Sequence, residues 1–379
     1  MFTYDEEEKD MRVCMITGAF PPAVCGVGDY ANLLIEHLSE MKDIEVSVIT
    51  SRGYNLKPQY CKVYDIIENW TFTELGKILE VIRASKPDIV HIQYPTDQYK
   101  KNTMINILPL LLKAMGFKVV ITIHEYSYFG LKYRIRNLPN LSAADRIIVA
   151  DPVYIKHICR VLPFKRKKIC YIPIFSNIPV TRLTESDKLE LRSKVAEEGT
   201  IILGFFGFIN EKKGFEHILT AVKSIKDSGK KVKLLYIGEF KDDSEYHKSI
   251  LGQISSQGLS ENIISTGYLD KSVVADYLSI VDCMVFPFMD GLSPRNGTFL
   301  AALNQGVNII TTKPQGENNY EYEKVHFIDR YEDIAELVCK IVSSKGCKAG
   351  KNGDISNKPA DIASAVYRIY EELLYKSSR

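Results

Sequence analysis

Short runs rich in Val and Ile alternate with amphipathic helical patterns along almost the whole of this chain, and that rhythm leaves few folds open. In the first half the apolar runs cover residues 12–17, 45–50, 88–93, 118–123, 146–150 and 168–172. A strand that is apolar on both faces must be covered on both, so a series of them separated by helices predicts a parallel sheet between two helical layers. The rhythm pauses at residues 173–179 and a polar segment, 181–199, follows. It restarts with runs at 201–207, 231–238, 262–266, 283–288, 307–311 and 325–328. Between them Ile218, Ala221, Val222 and Ile225 form one helical stripe, and Val274, Tyr277, Leu278 and Val281 another. A chain of 379 residues exceeds one ordinary hydrophobic core. The pattern therefore predicts two doubly wound, Rossmann-like α/β domains facing across a cleft: a lead-in at 1–10, a first domain at 11–178, a second at 179–358, and a last helix at 359–379. That helix carries Ile362, Val366, Ile369 and Leu373 on one face, after a loop over 343–358 rich in Gly, Ser, Asn and Lys.

Composition removes several function classes. Apolar content of 45% and charged content of 25% are those of a soluble globular protein. A net charge of +2 argues against a general nucleic-acid binder. The eight cysteines form no C-x-x-C pair and no metal-ligand spacing, which reads as reduced core thiols in a cytoplasmic protein. The first ten residues are acidic where a secretory signal is basic and then apolar. The most apolar helical candidate, 105–112, is read as broken by Pro109 and too short to span a bilayer. No D-x-D carboxylate pair stands at a strand mouth, since Asp242-Asp243 and the 5–8 segment lie in polar stretches, so no metal and no cofactor is expected.

Ligands in doubly wound sheets sit beyond the carboxyl ends of the strands, and the loops leaving the strands are where chemistry is sought. Residues 290–298, between two apolar runs, place small residues at the opening of a helix, where unpaired backbone N–H groups suit a phosphate. The 21–30 loop brings Gly26, Val27 and Gly28 before a helix read to start near Asp29, which would cap it. Its third glycine position holds Ala31, so a tight turn and a phosphate contact both stay open. His124 and Glu125 follow the fourth long strand, at the edge of the expected cleft. In the 204–214 segment Gly207 ends a strand, and Lys212 and Lys213 stand at the mouth of a helix, a position unfavourable to a cation unless an anion intervenes.

Taken in order, the Pro-Pro then Gly-Val-Gly loop at 21–28, His124, Gly207 with residues 211–214, Gly267-Tyr268 before a helix ending in Val281-Asp282, and the 290–311 region resemble the retaining glycosyltransferases of the GT-B fold, the group 1 family. The resemblance runs from about residue 11 to the last helix. It implies GT-B architecture, an acceptor-binding first domain and a nucleotide-sugar-binding second domain. Lys213 would neutralise the donor diphosphate, the 26–28 loop would close over it, and His124 would contact the transferred sugar or the leaving phosphate. Gly207, Phe208, Gly267, Tyr268, Leu292, Ser293, Pro294, Asn296, Gly297 and Thr298 would line the donor. The nucleotide sugar is then a substrate, with a glycan or lipid-linked acceptor in polysaccharide or glycoconjugate synthesis.

Two departures stand out. The family usually carries Arg where this chain has Phe208, and a Glu-x7-Glu pair where it has Ser293 and Ala301. The Asp-Gly-x-Ser-x-Arg run looks like a variant branch in which Arg295 supplies the missing charge and Asp290 the missing carboxylate. A silent relative that only binds a nucleotide sugar or a partner transferase, and an epimerase on the same scaffold, are the competing readings. Residues 97–168 carry 14 Lys and Arg against 4 Asp and Glu. Lys100, Lys101, Lys113, Lys118, Lys132, Arg134, Arg136 and residues 165–168 lie beside apolar positions, which suits the surface of an anionic membrane, with a solvated basic face as the alternative.

Overall fold

The computed structural model describes residues 10–23, 25–53, 58–99, 102–126, 130–241, 244–314, 322, 324–344 and 358–375. The calls on Lys100, Lys101, Asp242-Asp243 and the 5–8 segment lie outside them. The chain divides into two compact units, Met1–Phe175 with Ser356–Arg379, and Ser176–Ile355.

Among the described residues the first unit is built on seven strands: β1 (Met11–Ile16), β2 (Ile44–Ser51), β3 (Lys62–Ile67), β4 (Ile89–Tyr94), β5 (Lys118–Ile123), β6 (Arg146–Val149) and β7 (Ile169–Tyr171). Their order is β3-β2-β1-β4-β5-β6-β7, every pair parallel. Alternate residues of β1 enter separate cores, Cys14 and Ile16 in one and Met11, Val13 and Met15 in the other, as a strand buried on both faces requires. The last helix, Pro359–Leu374, lays Ile362, Val366, Ile369 and Leu373 into the second of these cores, which it shares with the helix Gly26–Ser39.

Three readings of the sequence are corrected here. The edge strand β3 went unread because Lys62 and Asp65 interrupt it and most of it is only half-buried, so it lacks the apolar run that marks its neighbours. His124 therefore follows the fifth strand, not the fourth. The helix predicted to break at Pro109 runs unbroken from Met104 to Ala114. An interior proline costs about 3 kcal/mol, through the hydrogen bond it removes and the clash of its ring with the carbonyl four residues back. Here the Asn140 amide, turned to satisfy both its ends, donates to the Ile105 carbonyl that Pro109 leaves unmet and to the Asn106 carbonyl, each at 3.0 Å.

Among the described residues the second unit holds six strands: β8 (Ile201–Phe206), β9 (Val232–Ile237), β10 (Ile263–Ser265), β11 (Cys283–Phe286), β12 (Asn308–Thr312) and β13 (Val325–Ile328). They are parallel in the order β10-β9-β8-β11-β12-β13. In each sheet the strand order reverses once, between β1 and β4 and between β8 and β11. At such a point the two connections leave in opposite directions and open a crevice beyond the strand ends.

Candidate functional site

The reversal in the second sheet gathers the loops after β8 and β11. Gly207 leaves β8 with φ +101°, and a Cβ there would lie 2.6 Å from Thr298 Cγ2. Gly214 opens the helix Phe215–Asp227 at φ +62°, where a Cβ would lie 2.5 Å from the Pro287 carbonyl oxygen. Only glycine permits both the backbone turn and the approach. The Lys212 carbonyl accepts from the Met289 N–H at 3.0 Å, which closes the two loops on each other.

This closure sets the charges. Lys213 Nζ stands 4.6 Å from the centroid of the Phe288 ring. Burial, and then the positive charge of Arg295, push the Lys213 ammonium down to about 8. Both influences oppose its charge, the condition that a bound anion would reverse. Arg295 lies in a turn in which the Ser293 hydroxyl accepts from the Arg295 N–H at 3.4 Å and the Ser293 carbonyl from the Asn296 N–H at 3.0 Å. The helix Gly297–Asn304 follows, and Asn296 gives it no side-chain cap. Leu292 and Pro294 are buried and anchor the turn. Asp290 is turned to Lys212, 2.9 Å away in an exposed pair.

The family's usual carboxylate positions are thus a Ser293 bonded within its own turn and an Ala301 packed in the core. Phe208 is two-thirds exposed, with Lys241 Nζ 5.2 Å from its ring. Gly267 and exposed Tyr268 stand past β10, two strands from the reversal, where the Gly267 N–H donates to the Gly238 carbonyl.

In the first unit the helix begins at Gly26, so Gly26, Val27 and Gly28 are helical and not loop. Asp29 does not cap it, because Cys25 holds the N-cap position and Asp29 falls in the first turn. Gly28 is needed for contact, since a Cβ there would meet the Ala19 carbonyl oxygen at 2.8 Å. Tyr30 of the same helix meets the His124 ring edge-on at 4.9 Å, which brings the glycine turn and His124 into one neighbourhood. His124 is 8% exposed, and its Nε2 lies 2.8 Å from Gln93 Oε1. Glu125 accepts from the Tyr154 hydroxyl at 3.1 Å.

Sequence reasoning passed over Phe288, Gln93 and His91. The last two had a signal: two polar residues two apart in an apolar strand share one buried face. Among the described residues no group of three or more His, Cys, Asp or Glu is placed to hold a metal, and no helix is long and apolar enough to cross a membrane.

Two family models match the chain, one for glycosyl transferases group 1 over residues 187–353 and one for glycosyltransferase family 4 over 24–175. The 2-deoxystreptamine glucosyltransferase of Streptomyces kanamyceticus is 25% identical over 103 residues, which are 27% of this chain and 26% of that protein. The chain thus matches about a quarter of that relative's length. A glycosyltransferase from Rickettsia africae ESF-5 superposes with a TM-score of 0.72 at 15% identity, over 97% of this chain and 99% of that one. The Anabaena protein HepE, solved in complex with UDP and glucose, superposes at 0.66 with 12% identity over 97% and 99%.

Proposed function

From the premise that the chain belongs to the group 1 glycosyltransferases of the GT-B fold, we propose that it moves a sugar from a nucleotide donor to a hydroxyl of a glycan or lipid-linked acceptor, without a metal ion. The observation that carries this is the pairing of Lys213 with Arg295, two cations brought together where the second sheet reverses, with Lys213 held against its own charge. A nucleoside diphosphate supplies the negative charge that such a place lacks, and HepE, of like fold, is solved with UDP and glucose. The second unit holds the donor, with the 292–298 turn, Gly207, Phe208, Gly267 and Tyr268 around it and Asp290 beside Lys212. The first unit holds the acceptor, with the first helical turn at Gly26–Asp29 serving the donor diphosphate and His124 the transferred sugar or the leaving phosphate.

The bond between the anomeric carbon and the phosphate oxygen breaks while the new bond to the acceptor oxygen forms on the same face. The acceptor's proton passes to an oxygen of the leaving diphosphate. Catalysis then rests on positioning and on stabilising the departing charge with Lys213, Arg295 and helix N-termini.

A basic and apolar surface on the first unit supports a lipid-linked acceptor at an anionic membrane. Leu131, Ile135, Val161 and Phe164 are all at least half exposed among Lys132, Arg134, Arg136, Arg160 and residues 166–168. The charge of Arg134 reaches His157 and, after burial, helps to lower its pKa, which sets the helix Leu131–Arg136 beside Val153–Val161. Lys165 and Lys113 fall outside this face: Lys165 is buried with its ammonium on the Ala144 carbonyl, and Lys113 pairs with Asp145. The described cysteines are free thiols, in keeping with the cytoplasmic side.

The test is a thermal-shift screen of nucleotide sugars, followed by product analysis. A donor at a hundred times its Kd stabilises the fold by about 2.7 kcal/mol. A shift with one donor and an anomerically retained product without added metal is expected. No shift with any donor selects a silent relative that binds a partner transferase, a shift without product selects one that only binds a nucleotide sugar, and epimerised sugar released without acceptor selects an epimerase.

A further inference from the structure

A buried line of polar side chains runs through the first unit, from its last helix to the strand end that carries His124. The Tyr370 hydroxyl lies 2.6 Å from His91 Nδ1, and His91 Nε2 lies 2.7 Å from the Thr122 hydroxyl. Gln93 Nε2 stands 3.4 Å from His91 Nε2, and Gln93 Oε1 stands 2.8 Å from His124 Nε2. His91, Gln93, Thr122 and Tyr370 are all 1% exposed or less, so bulk water does not compete for these bonds.

The order of protons along the line follows from which groups are able to donate. Gln93 Nε2 also faces Met15 Sδ at 3.6 Å, and a thioether accepts but never donates. That end of the amide is therefore the NH2, and the end at His124 is the carbonyl oxygen. A carbonyl only accepts, so His124 donates from Nε2 and a neutral ring carries its lone pair on Nδ1. The Gln93 NH2 and the Thr122 hydroxyl donate to His91 Nε2, which leaves the His91 proton on Nδ1, donating to the Tyr370 oxygen. His91 stays neutral in this place: burial, and then the charge of His124, push its pKa down to about 3.

We propose that Gln93 is a positioning residue that fixes His124 in its Nε2–H tautomer, with His91 and Tyr370 holding the Gln93 amide the right way round. This rests on the reading of His124 as a group that acts on the transferred sugar. A neutral ring fixed in this way carries a lone pair at Nδ1 and does not donate from it.

The experiment is long-range 15N–1H NMR of the full chain labelled at histidine, with donor kinetics alongside. The wild-type His124 ring is expected as Nε2–H at pH 7. Gln93→Glu places a carboxylate at the same nitrogen and is expected to turn the ring into imidazolium, and Gln93→Met is expected to release a mixture of tautomers. In Gln93→Met kcat is expected to fall about tenfold, the rate equivalent of one hydrogen bond, with donor KM little changed. Tyr370→Phe keeps the ring packing and is expected to shift the tautomer part of the way, so it carries the test if the Gln93 variants do not fold. A wild-type ring protonated on Nδ1, or a tautomer that none of the folded variants alters, overturns the proposal. Should the tautomers behave as expected while no nucleotide sugar is turned over, the assignment of Gln93 stands and the transferase reading falls.

Discussion

The Lys213 ammonium sits 4.6 Å from the centre of the Phe288 ring, itself 3% exposed. A cation over an aromatic face gains about 0.5–2 kcal/mol, yet the half-buried ammonium is still pushed down to about 8, so the ring alone does not offset its desolvation.

The first prediction follows from the titration of Lys213. In the free protein it loses its proton as pH rises through about 8, below the ordinary 10.5 of a lysine. Between those values the unfolded chain holds a proton that the folded chain does not. From this group stability therefore rises with pH across that window, and the penalty is fully present below it. Donor affinity runs the other way, because the diphosphate needs the charged form. Calorimetric titration with UDP is expected to show weaker binding at pH 9 than at pH 7, and a flat response in Lys213→Met. Equal wild-type affinity at both pH values removes Lys213 from the phosphate site.

Gly207 and Thr298 make a steric pair that can be dissected. Gly207→Ala puts a Cβ 2.6 Å from Thr298 Cγ2 and forces φ +101° on an L-residue. The backbone part costs about 1–3 kcal/mol. Adding Thr298→Ser removes the clashing methyl, so the double variant is expected to recover part of the lost stability in urea unfolding. Gly214→Ala meets the Pro287 carbonyl oxygen, which no side-chain change relieves. Strict additivity of Gly207→Ala and Thr298→Ser would show that the two residues do not touch.

Arg295 and Asp290 separate by their readouts. Removing one preorganised charge contact costs about 10²–10³ in kcat, and Arg295→Ala is expected to fall in that range. It is also expected to raise the pKa of Lys213, since Arg295 is one of the causes that lower it. Asp290→Asn breaks an exposed pair with Lys212, for which a stability loss of under about 1 kcal/mol is expected. A fall in kcat beyond that loss marks Asp290 as the replacement carboxylate. Unchanged kcat leaves it as an ion-pair partner only.

Vesicle co-sedimentation reads the basic face. Binding to vesicles containing phosphatidylglycerol is expected at moderate salt, at about 1 kcal/mol for each Lys or Arg near the surface, and it should fade as the screening length shortens. Leu131→Ser with Phe164→Ser is expected to weaken it without altering turnover of a soluble acceptor. Equal binding to neutral and anionic vesicles, or to neither, ends the idea.

Twelve of the thirteen strands among the described residues are announced in the sequence by apolar runs, which the central ones need because both of their faces are buried. The exception is β3: the other edge strands, β7, β10 and β13, are half-buried too, but only in β3 do two charges, Lys62 and Asp65, interrupt the apolar run. Pro109 shows another limit: the partner that rescues its helix, Asn140, is 31 residues away and nothing local points to it. The helix start at Gly26 escapes local reading for a related reason, because Gly28, two residues into the helix, is required by contact with Ala19 and not by turn geometry.

For the candidate site, sequence reasoning located the loops, since glycine and lysine at strand ends are local facts. It did not locate the partners. Lys213 and Phe288 are 75 residues apart and Tyr370 and His91 are 279 apart, and only packing brings each pair together. Hydrophobic periodicity is a property of neighbouring residues, so the chain's own order determined two parallel α/β sheets and the loops that could bear chemistry. Burial depends on everything that surrounds a group, so tertiary structure alone decided that Lys213 is held against its charge, that Asp290 turns to Lys212, and that His124 is wired to the last helix.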